Sequence, residues 1–390
     1  MLSAFRSARK SLGRFLFVFF ALFAAACVPV DGPGGGGGKS DGSRAVKVAL
    51  LVPGGSGQAS DQILADSLAN AARLAAADLS GVKIDLRIYQ TGGSPAQASA
   101  MALKAVDEGA EIILGPVFAQ EANAAGVAMA AKGINVLAFS NNTDIAGGNV
   151  FVLGPTFDNA ARRMAGYAVR QGKNRIMIVH ERNTAGEAGK AAIQRGVARA
   201  GGTVVAVSSY EFSQQGVSSA APGIVQTARD TAASALFLTA DTAGALPLLS
   251  QLLIDNGLDR GSAKFLGLTR WDVPAQTLGL PGVQGGWFTL PDPNLYAQFQ
   301  SRYQSAYGSA PHPIAGLAYD GIAAIGALAR QGRDLSAGSL TQSAGFVGVS
   351  GIFRLHRDGT NERGLAVAEI RNNQVVVIDP APRSFAGAGL

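Results

Sequence analysis

Few stretches of this 390-residue chain hold residues whose types and spacing could do chemistry. Gly54-Gly55-Ser56-Gly57, directly after the apolar run Val46–Val52, has the form of a glycine loop that brings backbone amides against a phosphate. The dinucleotide form of that loop needs G-x-G-x-x-G and an acid at the end of the next strand to hold a ribose. Here Gly55 and Gly57 supply the first two glycines, but Ser60 stands at the third and Tyr89-Gln90-Thr91 where the acid belongs. No G-x-x-x-x-G-K follows, so a P-loop is excluded as well. A nucleophile elbow requires G-x-S-x-G. Ser56 is followed by Gly57-Gln58 and Ser350 by Gly351-Ile352, and neither fits. His180, His312 and His356 lie in separate regions with no spacing that pairs them as metal ligands. His180-Glu181 is the best acid/base pair available, and it reads more simply as a polar pair at a cleft edge. Asp241, Asp272 and Asp320 follow no linking rule. With no catalytic set, no metal set and no cofactor motif, a non-enzymatic binding protein is the expectation.

The elements that position these residues alternate. Apolar runs at 46–52, 82–89, 112–114, 134–138 and 151–152 read as strands, with helical periodicity between them. A second series follows, with strands at 175–180, 203–208, 236–238 and 265–268. Its helices fall at 156–170 (capped by Thr156 or Asp158), 185–200, 224–231 and 246–255. The run 285–290 is a strand of different character, and helices 295–307 and 315–330 come after it. The tail changes period: 352–356, 366–370 and 375–378 read as an antiparallel ribbon turned at Arg357-Asp358-Gly359 and Asn372-Asn373. The fold class expected is α/β, two doubly wound Rossmann-like lobes joined by a multi-crossover hinge. Lobe 1 takes 45–154 plus 285–340 and lobe 2 takes 155–284 plus 341–380, leaving 381–390 as a disordered tail.

The N-terminus carries an address. Arg6, Arg9, Lys10 and Arg14 precede an apolar run from Phe15 to Ala26, too short to span a bilayer, so 1–26 reads as a signal peptide. Cys27, the one cysteine, follows at once in the manner of a bacterial lipobox, although Ala24 stands where leucine is usual. Lipidation at Cys27 is the expectation. A chain without further cysteine has no intrachain disulfide and no thiolate metal site. The unbroken glycines 34–38 make 27–44 a flexible tether between membrane and body. Of 33 basic residues four belong to the signal, leaving 29 against 27 acidic ones, so the mature chain is +2 and not +6. No basic stripe remains to suggest nucleic acid.

Several landmarks, in this order, give a resemblance. Ala49-Leu50-Leu51-Val52-Pro53 with its glycine loop, Ile113-Leu114-Gly115-Pro116 and Arg302-Tyr303 with Tyr307-Gly308 are three. Pro311, Leu317-Ala318-Tyr319-Asp320-Gly321 and Phe346–Phe353 with Asp358-Gly359 complete the set. Together they resemble the type I periplasmic-binding fold, in its leucine/isoleucine/valine-binding branch. Within that branch Val136–Asn141, Val152–Thr156, Asn159-Ala160-Ala161-Arg162-Arg163, Tyr167-Ala168, Gln171-Gly172 and Gly201–Val205 are similar to the lipoprotein activators of penicillin-binding proteins. Thr269-Arg270-Trp271-Asp272 sits where that group has a tryptophan-bearing turn.

The resemblance implies a ligand cleft between lobes, lined by Ser56, Gly57, Phe118, Ala119, Asn141, Asn142, Thr143, Asp241, Thr269, Arg270 and Trp271. It also exposes departures from amino-acid receptors. Ala119 replaces the serine after the third strand, Thr143 keeps the threonine after the fourth, and uncharged Thr269 falls near the acid that pairs the ligand ammonium. Asp241-Thr242 falls where a tyrosine is common. Two partner classes follow: a penicillin-binding protein or other peptidoglycan synthase that the chain regulates, or an ABC permease served with an amino-acid-like ligand. Both place the protein in the periplasm on a lipid anchor. Val28, where an inner-membrane lipoprotein would carry aspartate, points to the outer membrane.

Overall fold

The structure is a computed structural model that describes residues 45–259 and 261–385. The expected signal peptide, the tether with Cys27 and residues 386–390 of the expected tail lie outside the described residues. No helix among the described residues is long and apolar enough to cross a membrane.

The first strand, β1 (Val46–Val52), shows why the sheets are buried on both faces. Val48, Leu50 and Val52 pack into one hydrophobic cluster while Ala49 and Leu51 pack into another, the alternation that a pleated strand imposes. Helix α1 (Ala59–Asp78) follows, then β2 (Ile84–Gln90), α2 (Pro95–Asp107), β3 (Ile112–Leu114), α3 (Ala119–Ala130), β4 (Val136–Ala138) and β5 (Val150–Val152). These strands form a parallel five-stranded sheet in the order β2-β1-β3-β4-β5. The order reverses between β1 and β3, and open sheets of this kind bind ligands outside the strand ends at such a point. Gly115 ends β3 at φ +83°, where a Cβ would collide with the Leu51 carbonyl, so only glycine closes this strand against β1.

The chain then crosses to a second lobe through Leu153–Thr156. Helix α4 (Phe157–Arg170) is capped by the Thr156 hydroxyl, which accepts from the Asn159 amide. It leads to β6 (Arg175–Glu181), α5 (Thr184–Arg199), β7 (Thr203–Tyr210), α6 (Gln214–Asp230), β8 (Ala235–Leu238), α7 (Leu246–Asp255), β9 (Lys264–Gly267) and β10 (Trp287–Leu290). The sequence pattern starts α6 only after Pro222. The Ser213 cap starts it at Gln214 instead, with the proline inside the helix. Helices α8 (Pro293–Tyr307), α9 (Gly316–Arg330) and α10 (Ala337–Leu340) return to the first lobe, and α8 and α9 share the core of α1. A three-stranded antiparallel sheet follows: β11 (Phe346–Gly348), β12 (Gly351–Leu355) and β13 (Asn361–Arg363). Finally β14 (Ala366–Arg371) and β15 (Gln374–Asp379) form a hairpin on the second sheet. Its two-residue turn, Asn372-Asn373, holds both residues at positive φ.

The second sheet has seven strands in the order β15-β14-β10-β9-β8-β6-β7. Here too one face packs on α4 and α5 and the other on α6 and α7: Phe237 of β8 serves the first cluster, Leu236 and Leu238 the second.

Three sequence expectations need correction. The run 285–290, placed with lobe 1, is β10. It pairs with β9 and β14 and belongs to the second sheet. Phe346, Phe353 and Leu355, placed with lobe 2, lie in the core of the first lobe, because β11 and β12 pack beside α9. The expected tail is ordered as far as the described residues go, since Ala381 is buried in the second lobe and the Arg354 guanidinium lies 4.5 Å over the Phe385 ring.

Candidate functional site

Three segments cross between the lobes, at Leu153–Thr156, at Pro291 and Asp292, and at Gly364 and Leu365, and a cavity of about 360 Å³ opens beside all three. Both lobes contribute walls. Phe157 and Ala160 come from α4, Leu268 from just after β9, Leu290 from β10, Ile314 from the turn before α9 and Leu317 from its first turn. These walls are apolar, as ligand cavities usually are, with a few polar groups set into them. The polar groups are Asn141, Thr156, Thr269, Arg270, Thr289, Tyr296, Ser350 and Arg363.

Arg363 is the most heavily engaged. Its Nε donates to the Leu153 carbonyl at 2.9 Å, Nη2 donates to the same oxygen, and Nη1 donates to Asp320 at 3.0 Å. Asp320, fully buried, also accepts from the Val349 amide at 2.8 Å and the Ser350 amide at 3.4 Å. Burial pushes the Asp320 carboxyl up, against the pull of Arg363 and these amides. A Cβ at Gly348 would collide with this carboxylate, which explains a glycine there. Asn361 donates to the Val152 and Gly154 carbonyls and accepts from Asn159, whose own Oδ1 accepts from the Arg363 amide. The strand crossings are therefore joined by buried hydrogen bonds.

Arg270 is engaged only in part. Nε and Nη2 donate to Asp272 at 2.9 and 2.5 Å, and no hydrogen bond of Nη1 is found among the described residues. Burial works against the guanidinium charge, but Asp272 outweighs it and holds the group above its ordinary value. Burial likewise raises the Tyr296 phenol. The neighbouring Thr269 hydroxyl is buried with no hydrogen-bond partner.

Two chambers adjoin this cavity. Asn141, Thr156 and Phe157 also line a space of about 520 Å³ under Asn142, Thr143 and Asp144, where α5 presents Thr184 and Arg195. On the other side, Arg270 and Tyr296 also line a space of about 420 Å³ that holds Asp272.

Of the residues expected at a cleft, the structure brings Asn141, Thr269 and Arg270 to the hinge cavity and Asn142 and Thr143 to the next chamber. Asn142 is also a turn residue, its side chain accepting from the Asp144 amide. The others lie elsewhere. Ser56 donates to Asp61 and accepts from the Gln58 amide, and Gly57 is exposed at φ +81°. Phe118 and Ala119, at the start of α3, sit near that loop, with Gly93 between the Phe118 ring and Ser56. None of these four lines the three cavities. Asp241 is exposed, and its carbonyl accepts from the Gly244 and Leu246 amides. Trp271 is wholly buried in the second lobe, its ring stacked 6.4 Å from Phe288 and tight against Gly267 and Gly286. His180 and Glu181 are buried together at the end of β6. Glu181 accepts from Tyr210 and Asn183, which makes the pair part of a packed polar cluster. Sequence reasoning missed Tyr296, Ser350 and Arg363. Each reaches the cavity by a crossover that no local pattern announces.

Residues 45–374 match the profile of the periplasmic binding protein family. The chain belongs to that family. No curated protein sequence matches it. Solved structures of the same fold include a protein from Rhodospirillum rubrum with a provisional assignment to branched-chain amino acid ABC transport (18% identity, TM-score 0.72, 86% of this chain and 100% of that one). An ABC transporter substrate-binding protein from Desulfitobacterium hafniense, in complex with Leu, matches at 17% identity and TM-score 0.64 over 86% of this chain and 100% of that one. The solute-binding protein of an ABC transporter from Rhodopseudomonas palustris BisB5, in complex with 3,4-dihydroxybenzoic acid, matches at 18% and 0.57 over 86% and 96%. At such identities the likeness establishes the fold, two lobes of the type I periplasmic binding protein kind. In this periplasmic binding protein the hinge cavity lies where both lobes supply its walls.

Proposed function

We propose that the chain is a solute receptor that closes on a small organic ligand in the periplasm and presents it to an ABC permease, with no covalent step. The observation that carries this reading is the hinge cavity, built from both lobes and all three crossings and lined mainly by apolar side chains. Transport receptors of the same fold, one holding Leu and one an aromatic acid, support it. Cys27 supplies the anchor, and 27–44 the reach, of a receptor tethered to the membrane.

Regulation of a penicillin-binding protein is the other reading, and it rests on the likeness within 136–205. In this chain Asn159, Arg162 and Arg163 of that likeness serve the hinge. Asn159 holds Asn361, Arg162 pairs with buried Glu362 at 2.9 Å, and Arg163 donates to the Leu365 carbonyl and Asp379. A structural role thus accounts for those residues, which favours the receptor. Pull-down from envelope extract separates the two: enrichment of a penicillin-binding protein over a tether-only control would restore the regulator.

The direct test is a thermal-shift screen of the full-length chain against amino acids, amides and organic acids. A ligand at 100 times its Kd adds roughly 2.7 kcal/mol to folding stability, a plain rise in Tm. A screen in which no solute stabilises the chain overturns the receptor reading.

A further inference from the structure

We infer that the hinge cavity takes an apolar monocarboxylate that lacks an ammonium group, its carboxylate held by Thr269 and Arg270. This rests on the receptor reading of the same cleft and narrows it to one chemical class.

Charge is the first ground. The cavity is lined by two guanidinium groups, Arg270 and Arg363, and by no aspartate or glutamate. Two carboxylates held by the cavity's own arginines are already spent. Asp320 lies behind Arg363 with both oxygens hydrogen-bonded, and Asp272 is gripped by two nitrogens of Arg270 and lines the neighbouring chamber instead. An ammonium entering here would give up its water with no anion to receive it, a penalty that an unpaired buried charge cannot recover.

Unused donors are the second ground. The Thr269 hydroxyl is buried and unpartnered, and the next residue keeps its Nη1 edge free of hydrogen bonds among the described residues. Thr269 and Arg270, consecutive at the end of β9, both line the cavity, so a ligand carboxylate that draws the hydroxyl towards it can accept from both groups. Helix polarity adds to this. Both α4, through Phe157, and α9, through Gly316 and Leu317, bring their first turns, and with them the positive ends of their dipoles, to the cavity wall. Helix N-termini favour anions.

The walls set the rest of the ligand. Leu268, Leu290, Ile314, Leu317 and Leu365 offer hydrocarbon, and the remaining polar groups beside Arg363, namely Asn141, Thr156, Thr289, Tyr296 and Ser350, carry no charge. A branched aliphatic or single-ring body fits that lining.

A matched set of probes isolates the carboxylate from the amine: isocaproate, its amide, leucine, isoamylamine, and benzoate as an aromatic acid. Calorimetric titration of the full-length chain at neutral pH is expected to give isocaproate or benzoate at least tenfold tighter binding than leucine or the amide, and no binding of the amine. Thr269→Val and Arg270→Lys are each expected to weaken the acid tenfold or more, the lysine keeping the charge while losing the guanidinium edge. Leucine binding as tightly as isocaproate, or acid binding unchanged in Thr269→Val, overturns the inference. If all five probes fail while another solute stabilises the chain, the inference falls and the receptor stands. If no solute of any class binds, the receptor reading falls with it.

Discussion

The two sides of the hinge cavity treat buried polar groups in opposite ways. On one side Asp320, Arg363, Asn159 and Asn361 satisfy one another and the carbonyls of Val152, Leu153 and Gly154, across three segments that are distant in sequence. On the other side, at the end of β9, the half-buried Thr269 has a buried, idle hydroxyl and Arg270 holds only Asp272. A buried polar group costs folding free energy unless it is paired. The first set therefore contributes to the fold, and the second costs stability that a ligand can return. Substitution should separate the two sides by sign.

The largest effect is expected at Asp320. Asp320→Ala leaves the Arg363 guanidinium buried without its counter-charge and two amides without an acceptor. Breaking a buried pair from one side costs about 3–5 kcal/mol. Urea unfolding of the full-length chain measures this. A loss below 1 kcal/mol would mean that the hinge network is not what joins the lobes. Asn361→Ala comes next. It strips donors from the Val152 and Gly154 carbonyls and an acceptor from Asn159, with an expected loss of about 2–3 kcal/mol by the same measurement.

Glu121 extends the comparison to a third buried polar group. Its carboxyl is wholly buried on α3 with no hydrogen bond of good geometry to either oxygen, and burial raises its pKa above the ordinary 4.5 against a weaker pull from the Thr91 hydroxyl and the Phe118 backbone. Below pH 4.5 the group is protonated in folded and unfolded chains alike, and stability is intact. As pH rises through the folded value, the group must ionise where it is buried, and that stability is lost. Glu121→Gln is therefore expected to match the parent chain at pH 4 and exceed it by about 1–2 kcal/mol at pH 8. Equal stability of the two at both pH values would show that the carboxyl finds a partner in solution.

Much of the fold was legible in the sequence because both sheets are buried on both faces, so that β1, β3, β6 and β8 stand out as short apolar runs between helical periods. The errors fall where tertiary pairing decides. Trp287–Leu290 has nothing in its own residues to tell which sheet it joins, and only the partners Leu266 and Glu369 settle it. Asn361-Glu362-Arg363 looks like a polar turn, yet all three residues are buried in the hinge. The site was legible at Asn141, Thr269 and Arg270, because strand ends face the crevice in such folds. It was not legible at Tyr296 or Arg363, which arrive from α8 and β13 after two further crossings. The glycine loop drew attention through its composition, but Ser56 spends its hydroxyl on Asp61 at the rim of the first lobe.

The sharpest test of the comparison is also the smallest in energy. Thr269→Val exchanges a hydroxyl for a methyl of similar size at a half-buried residue whose hydroxyl, itself buried, bonds to nothing. If that oxygen had a structural duty, the change would cost stability, as Asn361→Ala must. If it is held in reserve for a ligand, its removal relieves an unsatisfied group, and the empty protein gains about 1 kcal/mol in urea unfolding. The same variant should bind an apolar carboxylate at least tenfold more weakly. Stability and binding then move in opposite directions at one residue, a combination that packing alone does not produce.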